Sequence, residues 1–356
     1  MNTKLTDAIA NAVLYEGYML YPYRPSSVKN RQRFNFGVLY PQLYSDAQSG
    51  SDACSSQTEC LVRGGSLTAI EVRVRFLKLV DRSVRRLTEA TVEPQPGGMS
   101  GFECVSMLEV DGKVFAPWQE AVECEETVPT CNLDGLTAMP FEWPFAFPAK
   151  QETEFLCDAR GRLVGVIARR QESLRGMVEI KSVHAGDEVF KLRVRVKNIT
   201  SPADDSVGPI SRDQALMQSL VSAHVLLGVV DGQFVSLLEP PESLKDIAAS
   251  CQNVGTWPVL VGAEGEKDTM LSSPVILYDY PQIAPESPGD LFDGTEIDEI
   301  LALRILTMTD DEKREMRDTD ERARKILERT EALPMEHLMK LHGTLRELRS
   351  LKEEMP

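Results

Sequence analysis

Ile70-Glu-Val-Arg-Val-Arg-Phe76 is the stretch on which the fold turns. Ile70, Val72, Val74 and Phe76 alternate with Glu71, Arg73 and Arg75. A period of two puts the apolar side chains on one face of a strand and the charges on the other. Val189-Phe-Lys-Leu-Arg-Val-Arg-Val-Lys197 repeats the pattern, with Leu192, Val194 and Val196 against Lys191, Arg193, Arg195 and Lys197. One buried face and one wet face mark antiparallel sheet packed on one side. Outward from these strands, three short polar stretches read as turns: Asp111-Gly112, Asp158-Ala-Arg-Gly161 and Asp231-Gly232. Asp-Gly suits a tight hairpin, because both central residues need φ > 0. The expectation is a sandwich- or barrel-like antiparallel β body.

Helices are expected at both ends, which makes the class α+β. Leu5, Ala8, Ile9, Ala12 and Val13 form one apolar stripe in a helix over 5–16. Thr309-Asp-Asp-Glu312 reads as a capping box opening a helix to about Leu333. Pro334 starts another helix, with Leu338, Leu341, Leu345 and Leu348 as its stripe, so a C-terminal helical hairpin is expected. Phe34–Tyr40, Trp257–Gly262 and Val275–Tyr280 read as strands. Ser211–His224 reads as a helix capped by Ser211, and Pro241–Ser250 as a short one. Residues 45–56 and 129–148 read as loops. Four regions follow: 1–60, a helix and an extended aromatic-basic segment; 61–205, the β domain; 206–288, mixed α+β; 289–356, helical.

The chain has 356 residues and a net charge of −16, which opposes nucleic acid and anionic membranes as partners. No apolar run reaches the roughly 18 residues of a membrane span. The first residues lack the pattern of a secretory leader, so a cytoplasmic location is expected. Nucleophile elbows, phosphate loops, dinucleotide fingerprints and His-Glu-x-x-His are all missing from the sequence, which favours a non-enzymatic role without a cofactor.

The charge is uneven. Between Glu16 and Asp46 there is no acidic residue, while Arg24, Lys29, Arg31 and Arg33 are basic. Six of the eight tyrosines lie at 15, 18, 21, 23, 40 and 44. Tyr and Arg dominate interface hot spots, so Tyr15, Tyr18, Tyr21, Tyr23, Arg24, Lys29, Arg31 and Arg33 are read as partner-binding. The competing reading packs the tyrosines under the β domain. The acidic cluster Asp290, Asp293, Glu296, Asp298 and Glu299 does not match a calcium loop and reads as a helix start. Cys54/Cys60 and Cys124/Cys131 are spaced loosely for metal, so ordinary thiols are favoured over a four-cysteine metal site. His337 and His342 point apart on a helix and cannot share a metal. The glycine-rich 97–101 reads as a turn, and Asn198-Ile-Thr200 as an unused sequon.

Two stretches resemble an uncharacterised bacterial family encoded beside nickel–iron hydrogenases of the actinobacterial, oxygen-tolerant type. One is Asn11-Ala-Val-Leu-Tyr-Glu-Gly-Tyr-Met-Leu-Tyr-Pro-Tyr-Arg24, continuing through Lys29-Asn-Arg31 to Phe36-Gly-Val-Leu-Tyr-Pro41. The other is Gly255-Thr-Trp-Pro-Val-Leu-Val-Gly262, with Ser272-Ser-Pro274, Leu277-Tyr-Asp-Tyr-Pro-Gln282 and Gly289–Glu299. The resemblance implies an accessory protein for hydrogenase assembly or maturation, with hydrogenase subunits or other accessory proteins as partners. Asp293 and Glu296 then join residues 15–44 as expected partner contacts. The alternatives are a cysteine-dependent metallochaperone or enzyme, and a β domain that binds a small ligand.

Overall fold

The computed structural model describes residues 3–15, 33–88, 101–201, 210–282, 302–319 and 321–334. The fold is α+β: a large curled antiparallel sheet, a half-barrel of eleven strands, and helices at the C-terminal end. The chain divides into two compact units, one of residues 1–20 and 28–282, the other of 21–27 and 283–356. The boundaries expected near 60 and 205 both fall inside the first unit.

One long strand, β1 (Ser55–Leu87), is the spine of the sheet. Along one edge it pairs first with β10 (Val189–Asn198), then β5 (Trp118–Asn132), then β2 (Phe102–Cys104). Along the other edge it pairs with β11 (Val221–Val235), then β8 (Leu163–Gln171). Beyond β11 lie β13 (Thr269–Ser273) and β12 (Trp257–Leu260). Beyond β10 lie β9 (Leu174–Gly186) and β6 (Phe141–Phe147). β7 (Lys150–Cys157) extends β8, and β3 (Leu108–Val110) and β4 (Lys113–Phe115) form a separate hairpin.

The alternation read from the sequence sets the core. Cys60, Val62, Ile70, Val72, Val74 and Phe76 point into the curl, against Leu192, Val194 and Val196 of β10 and Val225, Leu227 and Val229 of β11. Burying such side chains contributes about 1.5–3 kcal/mol each. β10 and β5 share an edge of β1 but diverge between Arg63 and Ala69. Helix α3 (Leu133–Ala138) contacts both β9 and β5 there, with Leu133 and Leu136 buried. Its Thr137 Oγ1 lies 2.7 Å from Ser182 Oγ of β9, and Ser182 Oγ donates to Leu133 O at 2.7 Å.

Helix α1 (Thr3–Leu14) lies on the outer face. Ile9, Ala10 and Val13 pack on Leu226, Val259, Val261 and Leu271, while Leu14 joins Phe34, Tyr40, Tyr44, Leu77 and Leu79. The Asp111-Gly112 turn closes β3–β4 with φ of +49° and +79°. Ser211 caps α4 (Arg212–Met217) through a full capping box. In the second unit, Thr309 accepts from the Glu312 N–H at 3.3 Å and opens α5 (Asp310–Thr319) as read.

Several expectations need correction. Asp231-Gly232 is not a hairpin turn. β11 runs straight through it, and Asp231, at φ +54°, sits opposite a bulge in β1. A bulge and a hairpin make the same demand for φ > 0, so the dipeptide signals both. The helix expected over 211–224 stops at Met217, and His224 is a strand residue. The 129–148 stretch contains the end of β5, α3 and β6 rather than a loop, and α2 (Gln42–Ala47) enters the loop expected at 45–56. Phe34–Tyr40 makes only an isolated bridge, Leu39 to Leu220, because Phe34 and Gly37 take positive φ. The strand expected at 275–280 is displaced upstream to β13, where Pro274 ends it. The single helix expected from Thr309 is two, α5 and α6 (Glu321–Glu331). They pack together and bury Met316 and Leu327, with Lys313 and Arg317 paired to Glu331 at 3.2 and 3.3 Å. The second helix expected from Pro334 lies outside the described residues.

Candidate functional site

The two stretches that carry the resemblance are far apart in sequence and meet at the β12–β13 side of the sheet. Gly37 lies so close to Pro274 that a Cβ there would sit 2.5 Å from the proline Cγ. Its carbonyl accepts from the Ala223 N–H at 3.0 Å, and the Phe36 carbonyl from the Ser222 N–H at 3.3 Å. Trp257 is in register with Ser273, the residue before Pro274. The chain then turns back along β12. The Tyr280 N–H donates to Leu260 O at 2.7 Å, and Asp279 Oδ1 accepts from the Leu260 N–H at 2.8 Å. Leu277 packs inward on the α1 cluster, and its neighbours point out. Tyr278 is 85% exposed, Ile276 73%, Phe36 44% and Trp257 41%. All four lie on, or next to, the two segments that meet here.

Behind this edge lies a polar layer. Asp7, Asn11 and Tyr15 recur every four residues and form one stripe of α1. Asp7 pairs with Arg73 at 3.0 Å, Asn11 Oδ1 accepts from Arg75 at 2.6 Å, and Tyr15 OH donates to Glu123 at 2.8 Å. Glu123 also pairs with Arg75 at 3.2 Å. Below Arg75, His224 is fully enclosed. Its Nδ1 donates to Ser222 O at 2.7 Å, so Nε2 accepts from the Ser273 hydroxyl at 3.1 Å. Ser222 has φ +53° and a buried hydroxyl with no partner among the described residues. The Ser273–His224 pair has the spacing of a nucleophile and base, but neither residue meets solvent. Burial holds the His224 pKa down to about 4, so the ring is neutral. Its chemistry here is to tie β11 to β13.

The sequence-read residues fall in different places. Arg33 is buried, its guanidinium 3.6 Å over the Trp118 ring and 4.7 Å from the Phe34 ring, donating to Gln119 O at 2.8 Å. Tyr15 is half-buried, and Tyr40 and Tyr44 are buried, as the packing reading has it. Tyr18, Tyr21, Tyr23, Arg24, Lys29, Arg31, Asp293 and Glu296 lie outside the described residues. The four cysteines are dispersed. Cys60 and Cys131 are in the core, Cys124 is paired with Phe76 in register, and Cys54 precedes β1. Burial raises the Cys60 and Cys131 thiols, and Cys124 to about 11. Among the described residues no three His, Cys, Asp or Glu side chains are grouped to hold a metal ion. Asn198 is buried, donating to Leu39 O and Gln218 O at 2.8 Å, which leaves the sequon inaccessible in the fold.

Sequence reasoning missed the exposed edge because Ile276 and Tyr278 alternate with Val275 and Leu277 as a half-buried strand would. Pro274 was the available signal that a strand ends there. No protein-family model and no curated protein matches the chain.

Proposed function

We propose that the protein is a non-enzymatic, cytoplasmic interaction protein that supports assembly or maturation of a nickel–iron hydrogenase. One observation carries the interaction reading: Phe36, Trp257, Ile276 and Tyr278 are exposed on or beside the two resemblance-bearing stretches, which meet at Gly37 and Pro274. Exposed aromatic and aliphatic side chains are the groups that anchor protein interfaces. The resemblance supplies the identity of that partner, a hydrogenase subunit or a fellow accessory protein.

The test is co-purification from a strain that makes the hydrogenase. Tagged wild-type protein should enrich hydrogenase subunits. Ile276→Ser/Tyr278→Ala should lose at least tenfold of that enrichment, the scale expected of hot-spot truncations, with an unchanged thermal transition. No enrichment by the wild type, with normal hydrogenase activity in a deletion strain, would sink the reading.

A further inference from the structure

The opposite half of the sheet carries a second surface. On the outer face of β9 and β10, side chains Arg175, Lys181, Lys191, Arg193, Arg195 and Lys197 are basic, and Glu179 is the one carboxylate among them. Glu59 of β1 and Glu142 of β6 flank the face. This is a cationic strip on a chain of net charge −16.

Local ion pairing does not account for it. Glu179 takes up Lys197 at 2.8 Å and Arg193 at 3.5 Å, and Glu59 lies 3.7 Å from Lys191. Arg175 and Lys181 make no ion pair among the described residues, while Arg195 stands in register with Glu179, whose carboxyl it helps hold low, and donates its side-chain hydrogen bond to the neutral Gln57 at 2.7 Å. Lys181 stands directly opposite Arg193. Like charges in register across a ladder destabilise it.

The spacing indicates what would relieve that repulsion. Arg193, Arg195 and Lys197 recur every second residue, roughly 7 Å apart along the strand. An extended polypeptide has the same period, so alternate acidic side chains would meet successive cations. Side chains on this face of β9 and β10 include no aromatic ring, so bases would have nothing to stack on. We propose that the outer face of β9–β10 docks an extended acidic polypeptide segment of a partner, with carboxylates at alternate positions. The face is separate from the β12 edge, and the inference does not rest on the hydrogenase reading.

The experiment uses the purified full chain and a fluorescent synthetic peptide of alternating Glu and Thr, followed by anisotropy. Micromolar binding is expected at about 50 mM salt, weakening steeply toward about 300 mM as screening tightens. The matching Gln/Thr peptide should not bind. Lys181→Glu/Arg195→Glu should weaken binding at least tenfold, and Lys181→Gln/Arg195→Gln by less, with the fold checked by circular dichroism. The glutamine variant keeps the test valid if charge reversal disturbs the sheet. No affinity of the wild type at low salt would overturn the proposal, as would variants that bind like wild type. A single-stranded oligonucleotide of equal length binding as tightly as the peptide would also overturn it.

Discussion

His224 is enclosed between β1 and β13, with an Arg75 guanidinium nearby and a folded pKa of about 4 against an ordinary 6.5. Below pH 6.5 the unfolded chain takes up a proton that the folded ring refuses. Stability is therefore fully present above pH 6.5 and drains as the pH falls toward 4, by about 3 kcal/mol in all. Urea unfolding at pH 7.5 and 4.5 should show most of that loss in the wild type and not in His224→Gln; equal losses would contradict it. Lys78 is the second such residue, 2% exposed, its ammonium donating to Pro148 O at 2.9 Å and its pKa lowered by burial. A buried cation without a carboxylate partner is costly, so Lys78→Met should leave stability unchanged or raise it by about 1 kcal/mol. A loss above that in the same urea experiment would show that the ammonium is needed. Neither residue was legible in the sequence. A lone His or Lys carries no periodic signal, and its burial is decided by strands distant in the chain. Arg33 shows the same limit. Its basic neighbours made it look like surface, while Trp118, 85 residues on, encloses it.

At the scale of elements, the pairing of β6 with β9 depends on a glycine. The Phe145 ring crosses Gly176 so closely that a Cβ there would lie 2.0 Å from the ring. Phe145 is itself wedged against Phe76 and Phe147, with centroids 6.2 Å away in both cases, so it has little room to retreat. Gly176→Ala should cost about 2 kcal/mol, as overpacking does, and a thermal transition at the wild-type temperature would refute this. Strands with strict alternation, β1 and β10, were readable because period two survives any pairing partner. β6 was not, since Trp143-Pro-Phe-Ala-Phe147 carries a proline and no charged face. Its edge position makes the proline tolerable. Likewise Asp231-Gly232 marked a positive φ, which Asp231 takes and Gly232 does not, but misled on connectivity, because a local dihedral cannot tell a reversal from a bulge.

At the scale of the molecule, the sheet and its covering helices lie within residues 1–282. A chain ending at Gln282 should keep a single cooperative unfolding transition within a few degrees of the full-length protein, by scanning calorimetry. Loss of cooperativity would place essential packing beyond Gln282. The sequence made the α+β class readable, but not the role of β1, because a spine is defined by its five partners and only β2 follows it directly in the chain. That arrangement has a consequence for synthesis. β1 is complete at Leu87, yet β10 ends at Asn198 and β11 at Val235. At about 5–20 residues per second, the ribosome leaves the strand waiting roughly 7–30 s before both of its long edges can be filled. During that interval a 33-residue strand with one apolar face has open edges, which makes the nascent chain a natural client for ribosome-associated chaperones.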